Sequence, residues 1–175
     1  MNMKDLKNFI RDIPGFPKEG INFHDITPLL QNSEAFTYAI DCMAETLVDK
    51  KIQYIVGVEA RGFIFGSALA YKLGAGLVIV RKLGKLPSET INASYDLEYG
   101  TNVLELHKDA ISHGENVLLV DDLLATGGTA AAVGELVQKL GGNIVGYSFL
   151  IELTSLNGRE KLKPYPVWSK LKYTE

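Results

Sequence analysis

One cysteine, Cys42, stands among 175 residues, so no internal disulfide can staple the chain. It falls in a helical pattern and reads as a small buried hydrophobe. Histidines are few: His24, His107 and His113, with no triad spacing around any of them. The apolar runs are too short to span a bilayer. A net charge of −3 gives no general attraction to nucleic acid or membrane. The opening residues, Met-Asn-Met-Lys-Asp-Leu-Lys-Asn-Phe-Ile-Arg, mix charge through their apolar positions, which is not expected of a signal peptide. No G-x-x-x-x-G-K-[ST] occurs, because Gly84-Lys85 is followed by Leu86 and lacks the first glycine. No G-x-G-x-x-G follows a strand. A P-loop ATPase and a Rossmann dehydrogenase are both disfavoured. Repeats, low-complexity segments and a linker are absent too, so the expectation is one domain, 1–175, in a soluble cytoplasmic protein.

What is present supports a core. Hydrophobic residues make up 46% and charged ones 22%, an ordinary globular balance. The periodicity predicts a short amphipathic helix over 3–11 and loop over 13–32. A helix follows from Glu34 to Val48, with Ser33 as N-cap. Strands are expected at Tyr54–Val58, Leu77–Val80, Val103–Leu106, Val117–Val120 and Ile144–Ile151. Helices are expected at Phe63–Leu73 and Gly128–Leu140. Residues 82–100 read as an excursion punctuated by Gly84, Pro87 and Gly100. Strands alternating with helices imply an α/β fold with a mostly parallel central sheet flanked by helices.

The most informative stretch is Val-Leu-Leu-Val-Asp-Asp-Leu-Leu-Ala-Thr-Gly-Gly-Thr, residues 117–129. An apolar strand ends in paired carboxylates, Asp121 and Asp122. A turn of small residues, Ala125, Thr126, Gly127, Gly128 and Thr129, leads into the next helix. Open α/β sheets bind ligands at the carboxyl ends of their strands. The free N–H groups and dipole of a helix start suit a phosphate. Acids beside a phosphate cradle make electrostatic sense when something cationic lies between them, such as Mg²⁺ or a sugar developing positive charge. The bland alternative is an Asx turn capping a helix.

Three other segments carry chemistry. Gly57-Val58-Glu59-Ala60-Arg61-Gly62-Phe63 is a second strand-to-helix junction, where Arg61 and backbone N–H groups could grip an anion. Arg81, Lys82 and Lys85 form a positive patch on an acidic chain, either a solvated turn or a clamp on a departing anion. Ala93-Ser94-Tyr95-Asp96-Leu97-Glu98-Tyr99-Gly100 reads as an exposed hairpin or as part of a lid.

Residues 117–129 resemble the signature of the type I phosphoribosyltransferase family. Arg81–Pro87, Tyr95–Gly100 and Glu152-Leu153-Thr154-Ser155-Leu156-Asn157-Gly158-Arg159-Glu160-Lys161-Leu162 are similar to the adenine branch of that family. The resemblance runs from Pro14 into the C-terminal region. It implies the type I fold with a mobile lid around 82–102 and a base-binding segment within 1–32. The implied activity is transfer of the phosphoribosyl group from phosphoribosyl pyrophosphate (PRPP) to adenine, giving AMP and pyrophosphate, with Mg²⁺ bound through PRPP rather than by a protein cage, in a homodimer. By the same resemblance Asp121 and Asp122 contact the ribose, and residues 125–129 hold the 5′-phosphate. Glu59, Ala60, Arg61, Arg81, Lys82 and Lys85 serve pyrophosphate, and the peptide beside Arg61 is of a kind often strained. Glu98 handles a proton at the purine.

The resemblance also makes Asn22, Phe23 and His24 an adenine-binding segment, with Phe23 stacking on one face of the base and Leu123 packing on the other. Alone, Phe23 reads equally as a core aromatic. The family usually has Arg where His24 stands, and often a β-branched apolar residue where Asn22 stands. Two alternatives keep the fold: a phosphoribosyltransferase for another base, and a catalytically silent sensor of PRPP or purine. The catalytic loops are not eroded and there is no basic extension, which favours the enzyme.

Overall fold

A computed structural model describes residues 2–96 and 101–174, and among these the chain divides into two compact units, 1–42 and 43–175. The first unit opens with α1 (Met3–Lys7), then pairs β1 (Arg11–Pro14) with β2 (Asn22–Asp25) in an antiparallel ribbon. The expected helix over 3–11 therefore stops at Lys7, and 13–32 is not all loop. Both strands are four residues long and largely polar, so they carry no apolar alternation to read. α2 (Thr27–Gln31) also lies in that stretch, with Pro28 in its first turn. A proline there costs no hydrogen bond, so it marks a helix start and not a break. α3 (Ser33–Glu45) follows. Its cap is Asn32, one residue before the expected Ser33: the Asn32 side-chain carbonyl accepts the Ala35 N–H at 2.9 Å.

The second unit is built on β-branched and leucine-rich runs that pair as a seven-stranded sheet. Its strands are β3 (Tyr54–Val58), β4 (Gly76–Lys82), β5 (Thr90–Asp96), β6 (Thr101–His107), β7 (Asn116–Leu124), β8 (Asn143–Leu153) and β9 (Val167–Tyr173), in the order β5-β6-β4-β3-β7-β8-β9. β4, β3, β7, β8 and β9 are parallel; β6 runs antiparallel to β4 and β5. α4 (Gly62–Leu73) connects β3 to β4, and α5 (Gly128–Lys139) connects β7 to β8. The two crossovers leave the centre in opposite directions. Right-handed connections therefore place α4 and α5 on opposite faces of the sheet. On the α5 side, Val133, Leu136 and Val137 pack with Val56, Leu119, Tyr147 and Phe149 in one buried cluster.

β5 and β9 were not expected as strands. Thr-Ile-Asn-Ala-Ser-Tyr-Asp mixes polar and apolar residues, and its pairing with β6 turns part of the 82–102 excursion into sheet. β9 is an edge strand whose polar positions are occupied by Ser169, Lys170 and Lys172. β3 and β7 are sequence-distant neighbours from which the chain winds outward both ways. That reversal opens a crevice at their carboxyl ends, where doubly wound sheets bind ligands.

Candidate active site

The acid pair stands at this crevice. β7 does not end at Val120 as expected; it continues beside β8 to Leu124, while its pairing with β3 stops at Gly57 and Val120. Asp121 and Asp122 thus lie where β7 has lost one neighbour and kept the other. Strand geometry holds them firmly, yet one flank is open. The Asp122 N–H donates to Asp121 Oδ1 at 2.9 Å. Arg61, from the loop after β3, brings Nε to 2.9 Å from Asp122 Oδ2 as an ion pair. No N–H is aligned on that oxygen, so buried Asp122 Oδ2 accepts no hydrogen bond.

Burial and the repulsion of Asp122 push Asp121 well above the usual carboxylate range. Burial also raises Asp122, and Arg61 opposes that rise. Ionising both acids is therefore costlier here than in water, and a cation or a set of hydroxyl donors would offset that cost.

Residues 125–129 turn directly into α5. Gly127 occupies the left-handed region, with φ of 79°, as the residue that starts the helix. Asp121, Leu123, the turn residues and Phe149 line a cavity of about 80 Å³. The unpaired N–H groups of the first turn of α5 make this an anion cradle.

The basic segment is organised by two carboxylates. Glu59 accepts the Lys82 N–H at 2.9 Å and lies 3.3 Å from Arg81 Nε. The Lys82 N–H, aided by Arg81, holds Glu59 below the usual range against the opposing effect of its burial. Arg81 also donates to the Lys85 carbonyl at 3.3 Å. Glu105 on β6 was not singled out from the sequence. It is 3% exposed and accepts the Lys85 and Leu86 N–H groups at 2.7 and 2.8 Å. Burial pushes Glu105 up, but the N–H groups of Leu86, Lys85 and Gly84 outweigh it and leave the carboxyl below its usual range. An acidic residue in an alternating strand looks solvent-facing, so only the three-dimensional return of residues 84–86 reveals it. The peptide between Glu59 and Ala60 is cis.

In the first unit, Asn22, Phe23 and His24 form most of β2. Phe23 meets the edge of Phe16 at a centroid distance of 5.2 Å. His24 Nδ1 lies 2.7 Å from Asp12 Oδ1 on the paired strand, so its ring is tied across the ribbon. Asn22 Oδ1 is buried without a hydrogen-bond partner. Glu98, with Leu97, Tyr99 and Gly100, lies outside the described residues.

Mg²⁺ is tested by these donors. Among the described residues no cluster of three His, Cys, Asp or Glu side chains could hold a metal. The acid pair offers hard oxygens, one of which, Asp122 Oδ2, is ion-paired with Arg61 but accepts no hydrogen bond. That fits an ion carried mainly by substrate oxygens, as magnesium in phosphate chemistry usually is.

The fold and the paired loops at its switch point define a phosphoribosyl transferase domain, and residues 27–172 match that family. A relative from Pseudothermotoga lettingae called adenine phosphoribosyltransferase is 61% identical over 97% of this chain and 99% of its own length. The crystal structure of adenine phosphoribosyltransferase from Thermoanaerobacter pseudethanolicus superposes with a TM-score of 0.96 at 52% identity, covering 98% of this chain and 100% of that one. That of the Saccharomyces cerevisiae enzyme, complexed with D-2,5-dideoxy-2,5-imino-altritol 1,6-bisphosphate and adenine, gives 0.92 at 47% identity, covering 97% of this chain and 98% of that one. The chain belongs to the adenine phosphoribosyltransferase family.

Proposed function

We propose that the chain transfers the 5-phosphoribosyl group of PRPP to a ring nitrogen of adenine, releasing pyrophosphate and giving AMP. The observation that carries the reading is the acid pair at the switch point, followed within seven residues by a glycine-led helix start. Carboxylates and a phosphate cradle on one short segment match a sugar phosphate whose ring becomes cationic.

The bond from C1 to the pyrophosphate oxygen breaks ahead of the new C1–N bond, leaving positive charge on the ribose. Asp121 and Asp122 orient the ribose hydroxyls and favour that charge. Residues 125–129 hold the 5′-phosphate through backbone N–H groups and the Thr126 and Thr129 hydroxyls. Arg61, Arg81, Lys82 and Lys85 take up the charge of the leaving pyrophosphate, with Glu59 holding Arg81 and Lys82 in place. Mg²⁺, when bound through PRPP beside Asp121 and Asp122, neutralises leaving-group charge and fixes substrate geometry. Asn22, Phe23 and His24 form the base segment, with Leu123 packing on the purine. Glu98 handles the proton of the ring nitrogen. A homodimer in which the basic segment reaches the second subunit's site also belongs to this reading. A cytoplasmic location rests on composition and the lone cysteine.

The test is incubation of the full chain with Mg²⁺, PRPP and one base at a time, following nucleotide and pyrophosphate. Adenine alone should give product. Turnover with hypoxanthine, guanine, uracil or orotate instead would overturn the base assignment. PRPP binding without turnover of any base would favour the sensor.

Glu105 adds a prediction. In Glu105→Ala, the Lys85 and Leu86 N–H groups lose their buried acceptor, at a cost of about 1–3 kcal/mol. Because the loop carrying Lys85 is loosened, the KM for PRPP should rise on the order of tenfold while that for adenine barely moves. Initial-rate kinetics with each substrate varied checks this; an unchanged KM for PRPP would mean that the loop does not face it.

A further inference from the structure

The segment Glu152–Leu162 is absorbed by no step above. It leaves the end of β8, passes through two short 3-10 turns, Thr154–Leu156 and Gly158–Leu162, and returns toward β9. Its Gly158 lies hard against the turn that starts α5. A Cβ on Gly158 would drive into the Ala125 carbonyl, and would lie 3.0 Å from Gly127 N. A Cβ on Gly127 would in turn strike the Gly158 carbonyl. Two glycines thus let the segment and the anion cradle touch backbone to backbone.

The next residue locks that contact. Arg159 donates Nε and a terminal N–H to the two oxygens of Glu152 at 2.5 and 2.6 Å, another N–H to the Val167 carbonyl at 2.7 Å, and one to Ser169 Oγ at 2.9 Å. The Ser169 hydroxyl itself donates to Glu152 Oε2. Glu152 is 4% exposed and stands opposite Leu124 of β7, immediately before the cradle. A guanidinium fixed by four acceptors has no freedom left to bind substrate, so its effect passes through Gly158.

We infer that the Glu152–Arg159–Ser169 clamp is a positioning device for the phosphate-binding turn, pressing Gly158 onto residues 125–127 so that their N–H groups are held in place before PRPP arrives. The inference rests on the proposed role of residues 125–129 and adds the group that preorganises them. A displacement of this turn by about 1 Å can cost a hundredfold.

Gly158→Ala and Arg159→Lys, the latter keeping the charge but losing the fork, are compared in the full chain with wild type, Ser169→Ala and Thr129→Ala. The readouts are KM for PRPP, KM for adenine, kcat, and the dissociation constant of ribose 5-phosphate by calorimetry, with thermal melts to confirm folding. Gly158→Ala is expected to raise the PRPP KM and the ribose 5-phosphate constant on the order of tenfold to a hundredfold. Arg159→Lys and Ser169→Ala should raise both less, and the adenine KM should stay within about twofold in all three. A merely structural clamp would lower melting temperature without that substrate split, and such a result overturns the inference. If Gly158→Ala does not fold, Arg159→Lys and Ser169→Ala decide by the same split. If Thr129→Ala weakens ribose 5-phosphate and the clamp variants do not, the inference fails alone. If Thr129→Ala binds as wild type does, the reading of the turn fails and takes the inference with it.

Discussion

Asp121→Asn should yield a protein that melts a few degrees higher than wild type at pH 7 and turns over about 10²–10³-fold more slowly. The two effects have one cause. Asp121 is raised by burial and by the repulsion of Asp122, so its ionised form strains the ligand-free site. The amide keeps an oxygen for the Asp122 N–H, now 2.9 Å from Oδ1, and removes the charge. It also removes the charge proposed to favour a cationic ribose, so kcat should fall more than the affinity for PRPP. Asp122→Asn should behave differently. Its carboxylate faces Arg61 Nε at 2.9 Å, and removing that charge leaves the guanidinium without it. The expected result is the same loss of kcat with no gain in melting temperature.

The pH dependence follows from the direction of the shift. A carboxyl raised in the folded state stabilises it while protonated, and that stability is lost as pH climbs through the folded-state pKa. Below the ordinary aspartate value of 3.8 both wild type and Asp121→Asn carry a neutral group, and their melting temperatures should coincide in this respect. Above it the gap opens in favour of the variant, and it levels off once Asp121 is ionised in wild type. Melts of both proteins from pH 3 to 8 check the sign. A gap that closes as pH rises would mean that Asp121 is lowered, and the strained-acid account would be wrong.

These acids were legible in the sequence because strand, acid pair and small-residue turn are contiguous, and so was the sheet around them, whose buried strands are continuous apolar runs. Three things were not. β1, β2 and β5 are short or polar, so their pairing is decided by partners far along the chain. The extension of β7 past the acids depends on which neighbour strand stops first. Glu105 looks like an ordinary surface acid on an alternating strand and Glu152 like the polar end of an apolar one, and only the return of residues 84–86 and of Arg159 makes them buried anchors. Arg61 stands out in the sequence as a cation at a strand-to-helix junction. Its ion pair with Asp122 does not, because it joins the loop after β3 to the distant end of β7.

Gly62→Ala should damage the chemistry more than the stability. Gly62 opens α4 directly after Arg61 and faces the acid pair across the crevice. A Cβ there would stand 2.7 Å from Asp121 Oδ1, 3.0 Å from the Val120 carbonyl oxygen and 3.2 Å from Asp121 Cα. The carboxylate can rotate away; the two backbone atoms cannot move unless the end of β7 shifts from β3. Overpacking of this kind costs about 1–3 kcal/mol of stability. The larger effect is on chemistry, because the atoms displaced are those that carry Asp121, the acid proposed to face the ribose: kcat/KM for PRPP should fall on the order of a hundredfold. Combining it with Asp121→Ala, which removes the side-chain oxygen, separates the two contacts. If the carboxylate contact dominates, the double variant should be no less stable than Asp121→Ala. If the backbone contact dominates, as the Val120 oxygen and Asp121 Cα distances favour, Gly62→Ala should cost the same stability in either background. Urea unfolding of the four proteins, read as a double-mutant cycle, measures that coupling directly. A Gly62→Ala enzyme with wild-type kcat/KM would show that the close approach of α4 to β7 is packing alone and does not place the acids.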